Sequence, residues 1–166
     1  MNDAVMLIGE GFAGNGVNAA HINVIMGPRN GPVGTAWATS LASPSAGHVP
    51  FMAVAAPGIP IRPFTLFINK AAIESERHGQ LTWGGAQAGI AAGVGLAHKD
   101  FIFRDREEWV LIVAVWVNPA ADDEEAVFKN NRDATVAALQ MSSSTSQATM
   151  ADIETMLSPS NPYFRQ

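Results

Sequence analysis

The sequence predicts a two-layer α+β domain, a sheet with helices on one face, and three stretches carry that reading. Residues 19–27, Ala-Ala-His-Ile-Asn-Val-Ile-Met-Gly, alternate apolar and polar side chains as a half-buried strand does. Trp109 to Val117 is almost continuously apolar over a strand's length, the pattern of a buried central strand. Residues 84–98 and 123–140 read as helices instead. Strands followed by helices, with hairpins among the strands, argue for a two-layer α+β domain.

Taken in order, residues 4–12 and 19–27 form an opening hairpin, with Gly14-Asn15-Gly16 supplying turn residues that tolerate positive φ. Pro28-Arg29-Asn30-Gly31-Pro32 breaks the second strand. Residues 33–43 read as a short Ala-rich helix with Trp37 and Leu41 four apart on one face. Residues 50–56 and 63–69 are strand candidates, joined by a turn-rich connection that Pro57, Pro60 and Pro63 hold extended. In 84–98, Gly85, Gly89 and Gly93 recur every fourth position. Glycine weakens a helix, so the row predicts close approach of a packed layer, another backbone or a flat ligand. The helix over 123–140 turns Val127, Ala134 and Ala138 inward, and Asp122-Asp123-Glu124-Glu125 cap its start. Residues 1–141 are thus read as one domain. Residues 142–166 follow as a serine-rich linker and a C-terminal tail, with one or two helical turns near Met150–Leu157.

Composition narrows the function classes. The chain has 166 residues, 48% apolar and 15% charged, which is foldable and sparing of charge. So little charge predicts that other subunits cover part of the surface. A net charge of −5 with scattered Lys and Arg argues against nucleic acid as a partner. The absence of Cys excludes disulfides and thiolate metal sites. No histidine pair has zinc spacing, so no metal is expected. The first residues lack a signal peptide's basic region, and no apolar run reaches membrane length. The expectation is a soluble cytoplasmic protein without membrane contact.

His21 is the leading acid–base candidate. A strand holds it still, and imidazole exchanges protons near neutrality. Asn23 shares its face, roughly 6–7 Å away, two residue rises along the strand. The same polar pair also suits an ordinary half-exposed strand. Lys70, just past the strand Leu66-Phe67-Ile68-Asn69, could set a positive charge near a ligand or simply be solvated. Gln87, near the start of the Gly-rich helix, offers an amide. Gly9-Glu10-Gly11 is too short a signal to assign alone.

At these residues the chain resembles the formaldehyde-activating enzyme family. The resemblance runs through Ile8-Gly9-Glu10, Gly14-Asn15-Gly16, Ala20-His21-Ile22 and Gly27-Pro28-Arg29. It continues at Ala53-Val54, Ala56-Pro57, Pro60, Pro63, Thr65-Leu66, Asn69-Lys70, Ala86-Gln87, Asn131 and Ala134-Thr135, and stops before Ser142. It implies a ribosomal protein S5 domain 2-like fold and a homo-oligomer, a ring-shaped pentamer with sites between subunits. It also implies condensation of formaldehyde with tetrahydromethanopterin to methylene-tetrahydromethanopterin and water. Tetrahydromethanopterin is then a co-substrate, with no permanently bound cofactor. The family's acid maps onto His21, and its substrate contacts onto Asn23, Met52, Lys70, Ala72 and Gln87.

The chain also departs from the family pattern. Asn23 stands where the family typically has Asp, Met52 replaces Leu, Ala72 replaces Thr, and Gly85 replaces a proline. Met keeps an apolar contact of similar volume. Asn keeps shape and hydrogen bonding but loses the negative charge, and Ala72 loses a hydroxyl. These exchanges leave open a second reading, a non-catalytic or altered-specificity paralogue that binds a pterin or an aldehyde adduct as sensor or carrier.

Overall fold

The computed structural model describes residues 6–100, 102–144 and 149–160. β1 (Leu7–Ala13) and β2 (Ala20–Pro28) form the expected antiparallel hairpin. Its connection is longer than a tight turn, with a 3-10 turn at Gly16–Asn18. Gly14 and Gly16 carry the positive φ, whereas Asn15 is extended. Then follow α1 (Pro32–Ala42), β3 (Phe51–Met52), β4 (Val54–Ala56), β5 (Ile59–Pro60) and β6 (Phe64–Asn69). The strand expected over 50–56 splits in two, β3 joining the main sheet while β4 pairs with β5, which lies inside the expected Pro-rich connection. α2 (Glu76–Gln80), a π-helical turn (Leu81–Ala86) and α3 (Gln87–Lys99) form a helical stretch that starts before residue 84. β7 (Trp109–Trp116), α4 (Glu124–Ser143) and α5 (Met150–Leu157) complete the described chain.

The sheet has the order β1-β2-β7-β6-β3, so the apolar β7 is central, as its composition requires. It pairs antiparallel with β2 and parallel with β6. Alternation sorts its side chains. Ile22, Val24 and Met26 of β2, with Leu111, Val113 and Val115 of β7, enter the core shared with α3 and α4. The helices do not all lie on one face. α1 covers part of the opposite side, where Val33 and Trp37 pack with Ile25, Leu66, Val110 and Ile112. The rest of that face stays open. Leu41, expected beside Trp37, is exposed.

Close backbone contact fixes the helical layer. A Cβ on Gly85, Gly89 or Gly93 would lie 3.2, 2.4 or 2.8 Å from the carbonyl oxygens of Glu124, Phe128 and Arg132. Rows of period four thus meet on α3 and α4, and the glycine row is occupied by a neighbouring backbone rather than a ligand. α4 also lies on β1, where a Cβ on Gly9 or Gly11 would lie 1.9 or 2.1 Å from the carbonyls of Ala138 and Ala134. Asp123 caps α4 by accepting from the Ala126 N–H at 3.0 Å. The serine run reads as a linker, but α4 continues through Ser143 and buries Ser142. Residues 145–148 of that run lie outside the described residues. The helix foreseen near Met150–Leu157 is α5, capped by Thr149 and Asp152.

Candidate active site

The open part of the outer face gathers polar side chains from three strands. Glu10 and Phe12 project from β1, because Gly9 and Gly11 face α4. Across the hairpin, Phe12 pairs with His21 and Glu10 with Asn23. Lys70 follows β6, its backbone N–H donating to the Val115 carbonyl at 2.7 Å. Between β2 and β6, β7 presents Ala114, opposite both Asn23 and Ile68. A small residue there leaves a path for the lysine stem across a two-strand gap of roughly 9–10 Å.

The contacts form one connected cluster. His21 Nε2 lies 2.7 Å from Glu10 Oε1, and Asn23 Nδ2 donates to the same oxygen at 3.4 Å. Lys70 Nζ donates to Asn23 Oδ1 at 2.7 Å and lies 3.4 Å from His21 Nδ1. A carboxylate only accepts and an ammonium only donates, so these partners assign the proton to Nε2 and leave Nδ1 as acceptor. The Phe12 ring stacks on the imidazole, centroids 4.1 Å apart and planes within 12°. Two hydrogen bonds and a stacked ring hold a partly exposed imidazole in one orientation. Burial holds the Lys70 ammonium's pKa below the ordinary lysine value, and the field of Glu10 partly opposes that shift.

Sequence reasoning singled out His21, Asn23 and Lys70, and the fold joins them. Met52 lies on the edge strand β3, paired with Leu66 on the far side of β6 from His21. Ala72 is exposed two residues beyond Lys70, against Gly47. Gln87 opens α3, whose packing lies on the other face of the sheet, and its Oε1 accepts from the Val54 N–H at 2.7 Å. Within one chain, Gln87 therefore ties β4 down.

Two residues were missed. Glu10 supplies the carboxylate beside His21, so the charge that Asn23 lacks is not missing from the imidazole. Its one sequence signal was the strand alternation that puts Glu10 on the same face of β1 as Phe12. Asn69, buried next to Lys70, donates from Nδ2 to the carbonyls of Gly47 and Ala71 at 2.6 and 2.8 Å. It fixes the backbone on either side of the lysine. Among the described residues, no group of three or more His, Asp or Glu side chains is placed to hold a metal ion. No described helix is long and apolar enough to cross a membrane.

Comparison with known proteins gives the family. The bifunctional enzyme Fae/Hps of Methanothrix thermoacetophila is 36% identical over 138 residues, 82% of this chain and 35% of the relative. That of Methanoculleus marisnigri is 35% identical over 153 residues, 91% of this chain and 38% of the relative. The chain thus spans little more than a third of these bifunctional relatives. The 5,6,7,8-tetrahydromethanopterin hydro-lyase of Methanosarcina barkeri is 36% identical over 135 residues, 80% of this chain and 76% of the relative. The sequence model described as formaldehyde-activating enzyme (Fae) matches residues 8–157, through α5 and past the point where the resemblance read from the sequence stops. The chain belongs to the formaldehyde-activating enzyme family.

Proposed function

We propose that this chain condenses formaldehyde with tetrahydromethanopterin to 5,10-methylene-tetrahydromethanopterin and water, with His21 as general acid. The observation that carries the proposal is the imidazole held between Glu10 and Lys70 on an open sheet face, in a chain of this family. Addition of an amine to formaldehyde needs little help. Expulsion of hydroxide from the resulting carbinolamine is harder, because hydroxide is a poor leaving group. A positioned acid that protonates this oxygen contributes typically about 10²–10⁴-fold. The amine lone pair then expels water, and the second nitrogen closes the methylene bridge. Holding amine and aldehyde together adds proximity. In this reaction Glu10 orients the imidazole, and Lys70 and Asn23 border the reacting carbon.

The same proposal includes the S5 domain 2-like fold and a closed homo-oligomer, a pentamer, in which a neighbouring copy brings Met52, Ala72 and Gln87 towards the cluster. Exposed Ile8, Phe12 and Trp83, at 54%, 39% and 49%, are the kind of surface that subunit contact covers. Purified protein mixed with formaldehyde and tetrahydromethanopterin tests the reaction. Acceleration over the spontaneous rate is expected, with a loss of about 10²–10⁴-fold in His21→Ala. Full acceleration in that variant would remove His21 as the acid.

Asn23 supports a second reading. Lys70 donates to an amide where the family typically offers a carboxylate, so the site suits a binder of a pterin or an aldehyde adduct. Calorimetric binding of reduced pterins without any rate enhancement would favour it, and rapid turnover would eliminate it.

A further inference from the structure

We propose that Lys70 captures formaldehyde covalently, as an Nζ-hydroxymethyl adduct that dehydrates to a methylene iminium and hands its carbon to the acceptor amine. This rests on the reading of the site as formaldehyde-condensing and deepens it. The sequence contains three lysines, Lys70, Lys99 and Lys129. Lys99 and Lys129 are exposed on helices, and Lys129 pairs with Asp133 at 3.2 Å. Lys70 alone is half-buried within the polar cluster.

Its nearest polar atoms are an amide oxygen at 2.7 Å and an imidazole nitrogen at 3.4 Å. Neither carries a full negative charge, and Glu10 is reached only through His21 and Asn23. Asn23 is decisive, because a carboxylate in its place would pair directly with the ammonium and hold the lone pair shut. The surroundings therefore give Lys70 a larger neutral fraction than an exposed lysine, burial lowering its pKa and the field of Glu10 only partly opposing that.

The chemistry balances without an oxidant or reductant. The Nζ lone pair forms a bond to the formaldehyde carbon, and the proton it sheds passes by way of His21 Nδ1 to the oxygen. A second proton, taken from water and delivered through His21 Nδ1, goes to the hydroxymethyl oxygen; the carbon–oxygen bond breaks, water leaves, and the nitrogen lone pair forms the iminium. An acceptor amine then bonds to this carbon and gives its proton to His21. His21 returns that proton to Nζ, the acceptor's nitrogen lone pair breaks the carbon–Nζ bond, and the neutral lysine leaves, with the methylene iminium now on the acceptor. Each step uses a proton carrier within 3.4 Å of Nζ.

Reductive trapping tests this on the intact protein. Formaldehyde and cyanoborohydride at pH 7 convert the iminium to a methyl-lysine, which peptide mass spectrometry assigns to a site. Methylation of Lys70 at least about ten times faster than Lys99 or Lys129 is expected, because the neutral amine is the nucleophile. That preference should fall in Asn23→Asp. Methylation of Lys70 no faster than the exposed lysines would overturn the proposal. Lys70→Arg keeps the cation and its donors but cannot form the iminium. Turnover within twofold of the parent in Lys70→Arg would also overturn capture, while leaving the acid role of His21 standing. Trapping at Lys70 in a protein that never turns over tetrahydromethanopterin would instead retain capture and remove the condensation.

Discussion

Gly11→Ala should destabilise the fold by about 3 kcal/mol, the upper end of the usual overpacking range. The added methyl would lie 2.1 Å from the Ala134 carbonyl oxygen and 2.8 Å from the Ala138 nitrogen. Both are backbone atoms of a helix, so no side-chain rotation relieves the clash. Relief requires α4 to retreat by roughly 1 Å, which forfeits a quarter to a half of each dispersion contact it leaves. α4 buries Val127, Ala134, Thr135, Ala138 and Leu139, so the loss is spread along its inner face. Urea unfolding at one protein concentration measures it. With m about 2 kcal/mol/M, a loss of about 3 kcal/mol lowers the midpoint by about 1.5 M. Gly95→Ala is the control. Its methyl meets nothing within 4 Å in the exposed interior of α3, so it should stabilise by about 0.5–1 kcal/mol. A Gly11→Ala midpoint within about 0.3 M of the parent, at an unchanged m, would refute the reasoning.

Asn23→Asp should raise the pKa of Lys70 and slow its methylation, since Asn23 Oδ1 already sits 2.7 Å from Nζ; an unchanged labelling profile would refute this. Lys70 should also shape the pH dependence of stability. Its pKa in the fold is below the usual 10.5, so the unfolded chain holds more protons between the two values. Stability should therefore rise with pH through that window, the penalty being complete below the folded pKa. Urea midpoints of Lys70→Met across alkaline pH should show a smaller rise than the parent. Asp123→Ala removes the acceptor for the Ala126 N–H and should lower stability by about 1 kcal/mol, read from the same unfolding curves.

What the sequence disclosed depended on how local each signal was. β7 was legible because eight successive residues suit burial, and α4 because its capping carboxylates precede an inward row of small residues. The side covered by α1 was not, since its inward side chains, buried Val33 and half-buried Trp37, do not say which sheet face they meet. The tiny β4–β5 hairpin escaped because prolines mask strands two or three residues long. His21, Asn23 and Lys70 stood out by residue type. Glu10 did not, because its importance depends on cross-strand register, and a connection longer than a two-residue turn leaves that register unspecified. Asn69 was hidden for the same reason, because the Gly47 carbonyl it holds lies in a loop that only the fold brings beside it.

The Gly-Glu-Gly triplet of β1 shows how the packing and the chemistry depend on each other. Gly9 and Gly11 let α4 rest on the strand backbone, which leaves Glu10 no direction but the outer face. There it meets His21, so the carboxylate that orients the imidazole comes from β1 and does not depend on residue 23. An Asp at residue 23 would add a second carboxylate beside both Glu10 and Lys70, repelling one and neutralising the other. With Asn, the cluster keeps one carboxylate for one ammonium, and the amide donates to the first while accepting from the second. An Asn rather than an Asp at residue 23 thus bears on the lysine rather than on the acid. Under the capture step, that exchange turns a fixed cation into a nucleophile while leaving the histidine's hydrogen bond to Glu10 in place.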